Sequence, residues 1–145
     1  MQRIEVSRHF GVPAERGYAF ITDMRNWSRF FPGFIALDPE SRCSAPGDVA
    51  SLTTKLFGRE RRVRLTFERM EPNRSFSYVS RQDGLPDAYH ERTFISDGDG
   101  FTFKMSVTYT ARPGVRGLVD RVVLTPAVRR LLRRTLDALE VALAP

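Results

Sequence analysis

The two residues best suited to acid–base chemistry are His90 and Arg92, which are separated by one residue. Histidine exchanges protons near neutral pH and arginine stabilises negative charge on oxygen, so the pair could orient a carbonyl or stabilise an enolate. On a strand, both side chains would share one face with Phe94. However, Tyr89 and Ile95 could equally be the inward set. We favour that second arrangement, in which His90 and Arg92 form a polar pair on the solvent face.

Two tyrosines, Tyr78 and Tyr109, complete the set of candidate catalytic residues. A phenol hydroxyl can hydrogen-bond a buried polar ligand and can manage a proton. In the commoner arrangement, the ring of a buried tyrosine packs in the core while its hydroxyl reaches the surface. The sequence leaves both arrangements open.

No pattern for a metal or nucleotide cofactor is present. The only histidines are His9 and His90, which do not stand at ligand spacing, and neither G-x-G-x-x-G nor a P-loop occurs. Cys43 is the only cysteine, so no internal disulfide can form, and its polar surroundings predict an ordinary exposed thiol. We expect no metal and no cofactor.

The charge of the chain is positive and carried by arginine. The net charge is +6, and Lys55 and Lys104 are the only lysines. The arginines are spread along the chain and alternate with apolar residues near its end, which is typical of a solvated surface. We therefore expect no nucleic-acid partner.

No apolar run approaches the ~18 residues of a membrane span and no signal-like segment is visible, so we expect a cytoplasmic location.

The elements that must position these residues follow from periodicity and turn residues. A strand is predicted over Met1–Phe10, followed by two short helices, Ala14–Thr22 and Met24–Phe31. Six further strands are predicted over Phe34–Leu37, Val49–Phe57, Arg61–Met70, Ser75–Arg81, Ala88–Ser96 and Phe101–Arg112. The connections are short, which favours antiparallel neighbours. Gly114–Leu143 reads as one long amphipathic helix that Pro126 should kink or interrupt.

One face of the predicted sheet is strongly apolar. Val63, Leu65 and Phe67 alternate with polar residues, and the same period recurs from Phe101 to Tyr109. The long helix is the only large amphipathic element that could cover this face. The sequence therefore predicts an α+β fold in which a curved antiparallel sheet of about seven strands grips the C-terminal helix, in a single domain spanning residues 1–145.

At this point the chain resembles the START-like (SRPBCC) superfamily, especially its polyketide cyclase/dehydrase-like branch. The likeness covers nearly the whole chain and consists of many short matches in the right order. They are Val12-Pro13-Ala14-Glu15, Phe20-Ile21-Thr22-Asp23, Asn26-Trp27, Phe31-Pro32-Gly33, Pro46-Gly47-Asp48, Glu71-Pro72-Asn73-Arg74-Ser75-Phe76, Gly114-Val115-Arg116-Gly117-Leu118-Val119-Asp120-Arg121 and Pro126-Ala127-Val128-Arg129-Arg130.

The resemblance implies a helix-grip fold with a cavity between the sheet and the long helix. The segments near Phe31–Phe34 and Gly84–Asp87 would open or close this cavity. The aromatic-rich inner faces agree with an apolar pocket. The predicted ligand-binding residues are Trp27, Phe30, Phe31, Phe34, Val63, Leu65, Phe67, Phe94, Phe103, Met105, Leu118 and Val122. For Trp27 and its neighbouring phenylalanines, a gate and simple packing against the sheet remain equally open.

Three functions follow from this resemblance. The leading hypothesis is the binding of a hydrophobic small molecule that is polyketide-, lipid- or aromatic-like. The enzymatic alternative is a cofactor-independent polyketide cyclase or dehydratase in which the cavity shape templates the substrate and His90, Arg92, Tyr78 or Tyr109 moves protons. The third is a lipid or quinone carrier, or chaperone, that docks on a partner through its arginine-rich helix. Either a monomer or a homodimer is compatible with each function.

Overall fold

Seven antiparallel strands form one curved sheet in the computed structural model, which describes residues 1–145. The strands are β1 Gln2–Phe10, β2 Phe34–Leu37, β3 Val49–Leu56, β4 Arg59–Glu71, β5 Ser75–Arg81, β6 Ala88–Asp97 and β7 Gly100–Tyr109. Their order across the sheet is β1-β7-β6-β5-β4-β3-β2. Every predicted strand is present, and the ends differ from the predicted ones by a few residues at most. The largest difference is at β7, which ends at Tyr109 instead of Arg112.

The turns show why the strands pair as consecutive hairpins. Between β3 and β4, Phe57 and Gly58 have φ angles of 53° and 76°. Two consecutive positive φ angles match the right-handed twist of the flanking strands, and glycine adopts this conformation without strain. The hairpin brings Leu56 opposite Arg59 and fixes the register of both strands.

The connection from β1 to β2 crosses from one edge of the sheet to the other. It contains helix α1, Ala14–Thr22, as predicted, and then a 3-10 helix, Met24–Arg29, where the sequence predicted a helix over Met24–Phe31. Asp23 separates the two helices, and its carboxylate accepts a hydrogen bond from the backbone N–H of Arg25 at 3.0 Å. Helix α1 packs closely on β7, since a Cβ atom on Gly17 would lie 2.4 Å from the ring of Phe101.

The C-terminal helical run is continuous but changes type on the way. It consists of α2 Val115–Val119, a π-helical turn Asp120–Leu124, and α3 Thr125–Ala142. The turn ends two residues before Pro126, whose missing N–H and bulky ring disfavour an uninterrupted α-helix at this place. The predicted interruption is thus confirmed, and its form is a π turn.

The core lies between the concave face of the sheet and α3. One cluster of 26 buried apolar residues draws on α1, α3 and every strand except β2. Val63, Leu65 and Phe67 on β4 are buried, and so are Leu136 and Leu139 on α3. The α+β helix-grip arrangement is confirmed. None of the helices has the length and apolar composition that crossing a membrane requires.

Candidate functional site

A cavity of about 150 Å³ lies between the sheet and α3. Of the 24 residues that line it, 18 are hydrophobic. Eight of the predicted ligand-binding residues are among them: Trp27, Phe30, Phe31, Val63, Leu65, Phe67, Phe103 and Met105. Helix α3 supplies the opposite wall with Val128, Leu131, Leu132, Thr135 and Leu139. The cavity is therefore an apolar chamber with strands on one side and a helix on the other.

Two predicted ligand-binding residues on the sheet lie outside the lining. Phe94 is buried, but its ring packs within an aromatic cluster, with ring centroids 5.4 Å from Tyr18 and 4.9 Å from Phe103. Phe34 is partly buried against the core at the start of β2. Neither residue lines the cavity, so the prediction that they form part of its wall is wrong.

The prediction is also wrong for Leu118 and Val122, which are each 63% exposed. The buried residues of their segment are instead Gly117, Asp120 and Leu124. Gly117 packs so tightly that an added Cβ atom would lie 2.1 Å from the carbonyl oxygen of Arg112. This contact turns Leu118 and Val122 away from the sheet.

One end of the cavity is polar, and it is built by two neighbouring strands. Tyr78 on β5 stands directly opposite His90 on β6, and the two rings stack with centroids 4.5 Å apart. Nη2 of Arg92 donates a hydrogen bond to the hydroxyl oxygen of Tyr78 at 3.1 Å. Arg92 and His90 line the cavity, whereas Tyr89 and Ile95 are 36% and 49% exposed. The preferred interpretation from the sequence, a polar pair on the solvent face, is wrong.

Arg92 is buried without a carboxylate partner. Its side chain is 6% exposed, and its hydrogen-bond partners are the hydroxyl of Tyr78, the nearby nitrogen Nδ1 of His90 and the backbone oxygens of Glu91 and Ser106. Burial lowers the pKa of the guanidinium. A buried cation surrounded only by neutral groups is costly to desolvate. Its charge is therefore available to a group that enters the cavity.

His90 is neutral at physiological pH. Burial, and secondly the neighbouring Arg92, lower its pKa well below the ordinary value. Arginine can only donate, so Nδ1 of His90, 3.4 Å from Nη2 of Arg92, must be the acceptor. This assigns the ring proton to Nε2, which donates to the hydroxyl oxygen of Ser80 at 2.8 Å. The hydrogen of the Ser80 hydroxyl is then free to point elsewhere in the cavity.

Tyr109 lies outside the polar end of the cavity. Its hydroxyl donates to the backbone oxygen of Asp120 at 3.2 Å and contacts the hydroxyl of Thr125. The residue is absent from the cavity lining and joins β7 to the C-terminal helical run. Its candidacy as a catalytic residue is therefore corrected to a structural role.

An ion pair between Arg112 and Asp120 lies next to Tyr109. The carboxylate of Asp120 is fully buried and accepts three hydrogen bonds from Arg112, from the backbone N–H at 2.8 Å, Nε at 3.1 Å and Nη2 at 2.6 Å. These bonds hold the pKa of Asp120 below its ordinary value. Arg112 also donates to the backbone oxygen of Gly84 at 2.7 Å, which ties the loop before β6 to the helical run.

Three polar residues of the lining, Ser80, Gln82 and Thr135, escaped the sequence reasoning. Ser80 and Gln82 lie at the polar end, and the side-chain oxygen of Gln82 is buried without a hydrogen-bond partner. Cys43 was predicted to be an exposed thiol, but it is partly buried in the cavity wall, and burial raises its pKa to about 12. The inward position of Ser80 could have been predicted, because it lies two residues after Tyr78 on the same strand and therefore shares its face. The position of Cys43 depends on how a loop folds back, which the sequence pattern does not encode.

A second recess of about 310 Å³ adjoins the cavity and marks its mouth. The two spaces share the lining residues Phe30, Phe31, Pro32, Leu56, Phe57 and Leu131. The recess adds Arg29, Lys55 and Arg134 and contains no acidic residue. Phe31 and Pro32 thus stand at the boundary between the two spaces, as the resemblance implied. No residue of Gly84–Asp87 lines either of them.

Comparisons with known proteins agree with this architecture. A family model described as polyketide cyclase/dehydrase and lipid transport matches residues 1–144. A protein from Thermus thermophilus superposes with a TM-score of 0.81 at 16% identity, covering 99% of this chain and 100% of the other. The Zhui aromatase/cyclase from a Streptomyces species gives 0.72 at 14% identity, covering 99% and 96%. At such low identities, the TM-scores show a shared fold and nothing more. A search of curated proteins found no match.

Proposed function

The chain belongs to the polyketide cyclase/dehydrase and lipid transport family, and on that premise we propose that its cavity binds a small hydrophobic molecule through one oxygen atom. Membership supports a hydrophobic ligand-binding or cyclase role. Arg92 and Tyr78 hold the oxygen at the polar end, and the apolar walls enclose the remainder of the ligand.

The observation that carries this proposal is the buried guanidinium of Arg92. A charged group that has no carboxylate partner is an unfavourable choice for a purely structural position. The same group is valuable next to a carbonyl, enolate or phenolate oxygen, because a charge-assisted hydrogen bond in an apolar cavity is strong. The hydroxyl of Tyr78 can donate to the same oxygen, since it uses its own oxygen to accept from Arg92.

The size of the cavity limits what it encloses. A dry cavity of about 150 Å³ holds a molecule of roughly the size of benzene. The enclosed part of the ligand is therefore about one ring. A longer polyketide- or lipid-like molecule would extend past Phe31 and Pro32 into the recess at the mouth.

Two probes of matched shape test the proposal. Toluene and p-cresol differ by one hydroxyl group, and both are small enough for the cavity. We expect both to bind, with p-cresol about ten times tighter, which corresponds to ~1.4 kcal/mol for one charge-assisted hydrogen bond. Binding is measured by chemical-shift titration in NMR.

The variant Arg92→Met should lower the preference for p-cresol, because only the hydroxyl of Tyr78 can then bond its oxygen. Arg74→Met, which removes an exposed arginine, should leave the preference intact. Val128→Trp, which fills the cavity from α3, should abolish the binding of both probes. Absence of binding by the wild-type protein would overturn the proposal. A preference for p-cresol that is undiminished in Arg92→Met would overturn the role of Arg92.

A second candidate function is cyclisation, and the neutral His90 favours it. Nδ1 of His90 lies 3.4 Å from Nη2 of Arg92, so a base stands beside a group that stabilises an enolate. On substrate binding, Nη2 of Arg92 would turn from Nδ1 of His90 to the substrate carbonyl oxygen, which frees Nδ1 to take a proton from a ketone methyl group. Arg92 would then stabilise the enolate oxygen. The resulting carbanion would attack a second carbonyl of the same molecule, and loss of water with enolisation would give an aromatic ring.

The small triketone heptane-2,4,6-trione tests this second function, because its cyclisation yields 5-methylresorcinol and one water. We expect wild-type protein to accelerate product formation above the buffer rate, and His90→Gln to lower kcat while p-cresol still binds. No acceleration, together with tight p-cresol binding, would leave ligand binding as the function.

A further inference from the structure

The exposed aliphatic side chains of this protein are concentrated in one short segment, Val115–Val123. Within it, the exposed fractions are 81% for Val115, 63% for Leu118, 44% for Val119, 63% for Val122 and 61% for Val123. Single exposed apolar residues are normal, but a contiguous group of this kind marks an interaction surface. None of the cavity or core functions described above uses these five side chains.

The same segment is cationic. Arg116 and Arg121 are exposed among the aliphatic residues. The only acidic residue between Ala111 and Leu136 is Asp120, and its carboxylate is fully buried against Arg112. The outer side of α3 continues the positive charge with Arg129, Arg130, Arg133 and Arg134. The segment thus combines aliphatic groups with positive charge and carries no exposed acid of its own.

The segment is held firmly in this orientation. Arg112 bonds the carboxylate of Asp120, and the hydroxyl of Tyr109 bonds the backbone oxygen of the same residue. Gly117 packs on the carbonyl of Arg112 so closely that no side chain would fit. The buried side of the segment therefore fixes which residues face outward.

We propose that Val115–Val123 docks this protein on the surface of an anionic lipid bilayer. The aliphatic side chains would enter the boundary between head groups and acyl chains, and Arg116 and Arg121 would contact lipid phosphates. A helical segment that combines exposed apolar residues with arginines has the composition of an interfacial membrane element. This inference does not depend on the ligand of the cavity.

Charge distinguishes a bilayer from the other possible occupants. A second copy of the chain would pair this surface with itself, which brings arginines together without any acidic partner. A nucleic acid would satisfy the arginines, but it offers no apolar layer for five aliphatic side chains, and the segment has no aromatic residue for base stacking. An anionic bilayer satisfies both groups at once.

Vesicle co-sedimentation tests the proposal. We expect the protein to bind vesicles of phosphatidylcholine containing phosphatidylserine, to bind pure phosphatidylcholine at least tenfold more weakly, and to be released partly by high salt. The double variant Leu118→Ser/Val122→Ser should reduce binding by about tenfold or more, because less apolar surface enters the bilayer. Arg116→Gln/Arg121→Gln should remove most of the preference for phosphatidylserine.

Val141→Ser is the matched control, because Val141 is 81% exposed on α3 outside the segment and should not affect vesicle binding. All substituted positions are exposed, and an unchanged Tm verifies that each variant folds. Absence of binding to phosphatidylserine vesicles would overturn the proposal, as would equal binding by Leu118→Ser/Val122→Ser. A wild-type dimer that this double variant converts to a monomer would assign the surface to a second copy instead.

Discussion

The side chains of Arg92 and Arg112 are both at least partly buried, but only that of Arg112 has a carboxylate partner. Arg112 faces the buried carboxylate of Asp120 and adds a bond to the backbone of Gly84. Arg92 is more deeply buried and has only neutral partners. The first arginine is compensated and holds the helical run to the sheet. The second has no carboxylate partner and lies at the polar end of the cavity. The presence or absence of a carboxylate partner therefore distinguishes a structural ion pair from a candidate ligand site.

The largest expected effect on stability comes from replacing Arg112, the arginine that is paired with a carboxylate. Arg112→Met leaves the buried Asp120 carboxylate without its guanidinium, with only the backbone N–H of residue 112 still donating to it, and we expect a loss of about 3 kcal/mol in the free energy of unfolding. Arg8→Met removes a surface pair with Asp137, whose side chain is 69% exposed, and should cost less than about 1 kcal/mol. Urea denaturation measures both. Equal losses would show that the Asp120 pair is no more important than a surface contact.

The corresponding change at the cavity should behave differently. Arg92→Met removes a buried charge together with its desolvation cost, and it leaves the Tyr78 hydroxyl and Nδ1 of His90 without a donor. These effects oppose each other, so we expect stability within about 1 kcal/mol of the wild type. A loss as large as that of Arg112→Met, in the same urea experiment, would contradict the contrast between the two arginines.

The pH dependence of stability sharpens the contrast, because the two sites act in different pH ranges. The folded pKa of His90 is depressed below 6.5, chiefly by burial. Below pH 6.5 the unfolded chain therefore binds a proton that the folded chain excludes. Stability should fall as the pH drops from 6.5 towards the folded pKa, by at most about 1.4 kcal/mol per pH unit. Asp120 has a depressed pKa as well, and its contribution is lost only below about pH 3.8.

Thermal denaturation across this pH range, with His90→Gln and His9→Gln as a matched pair, separates the contributions. His90→Gln should remove the decline that begins at pH 6.5, and His9→Gln should retain it. A decline that persists in His90→Gln would show that another group titrates there.

The smallest expected effect concerns Cys43 in the cavity wall. With a pKa of about 12, its thiolate fraction at neutral pH is roughly a thousandfold lower than that of a thiol with a pKa of 9. Alkylation by iodoacetamide should be correspondingly slow in the folded protein and ordinary in urea. Rapid alkylation of the folded protein would contradict the placement of Cys43 in the cavity wall.

The sequence predicted the elements well because each depends on local patterns. Alternation identified β4 and β7, and the start of α1 follows from Pro13. The face of β6 could not be predicted in this way, since both of its faces mix polar and apolar residues. It is decided by pairing, which places His90 opposite Tyr78 and Arg92 opposite Met105 on the inward side.

The errors at Leu118 and Val122 have a different physical origin. The prediction treated Gly114–Leu143 as a single α-helix, in which both residues continue the apolar stripe of α3. The π turn Asp120–Leu124 accommodates an extra residue, and each residue corresponds to a rotation of about 100° around the helix axis. The stripe before Pro126 is therefore displaced from the stripe after it, and no periodicity in the sequence reveals this displacement.

The ionisation of bound p-nitrophenol tests most directly whether the uncompensated charge of Arg92 acts on a ligand. A purely apolar cavity raises the pKa of a bound phenol, whereas a nearby cation lowers it, so the direction of the change is decisive. We predict that absorbance titration of p-nitrophenol bound to the wild-type protein gives a pKa below that of the free phenol, and that Arg92→Met gives one above it. A raised pKa in the wild-type protein would contradict the account.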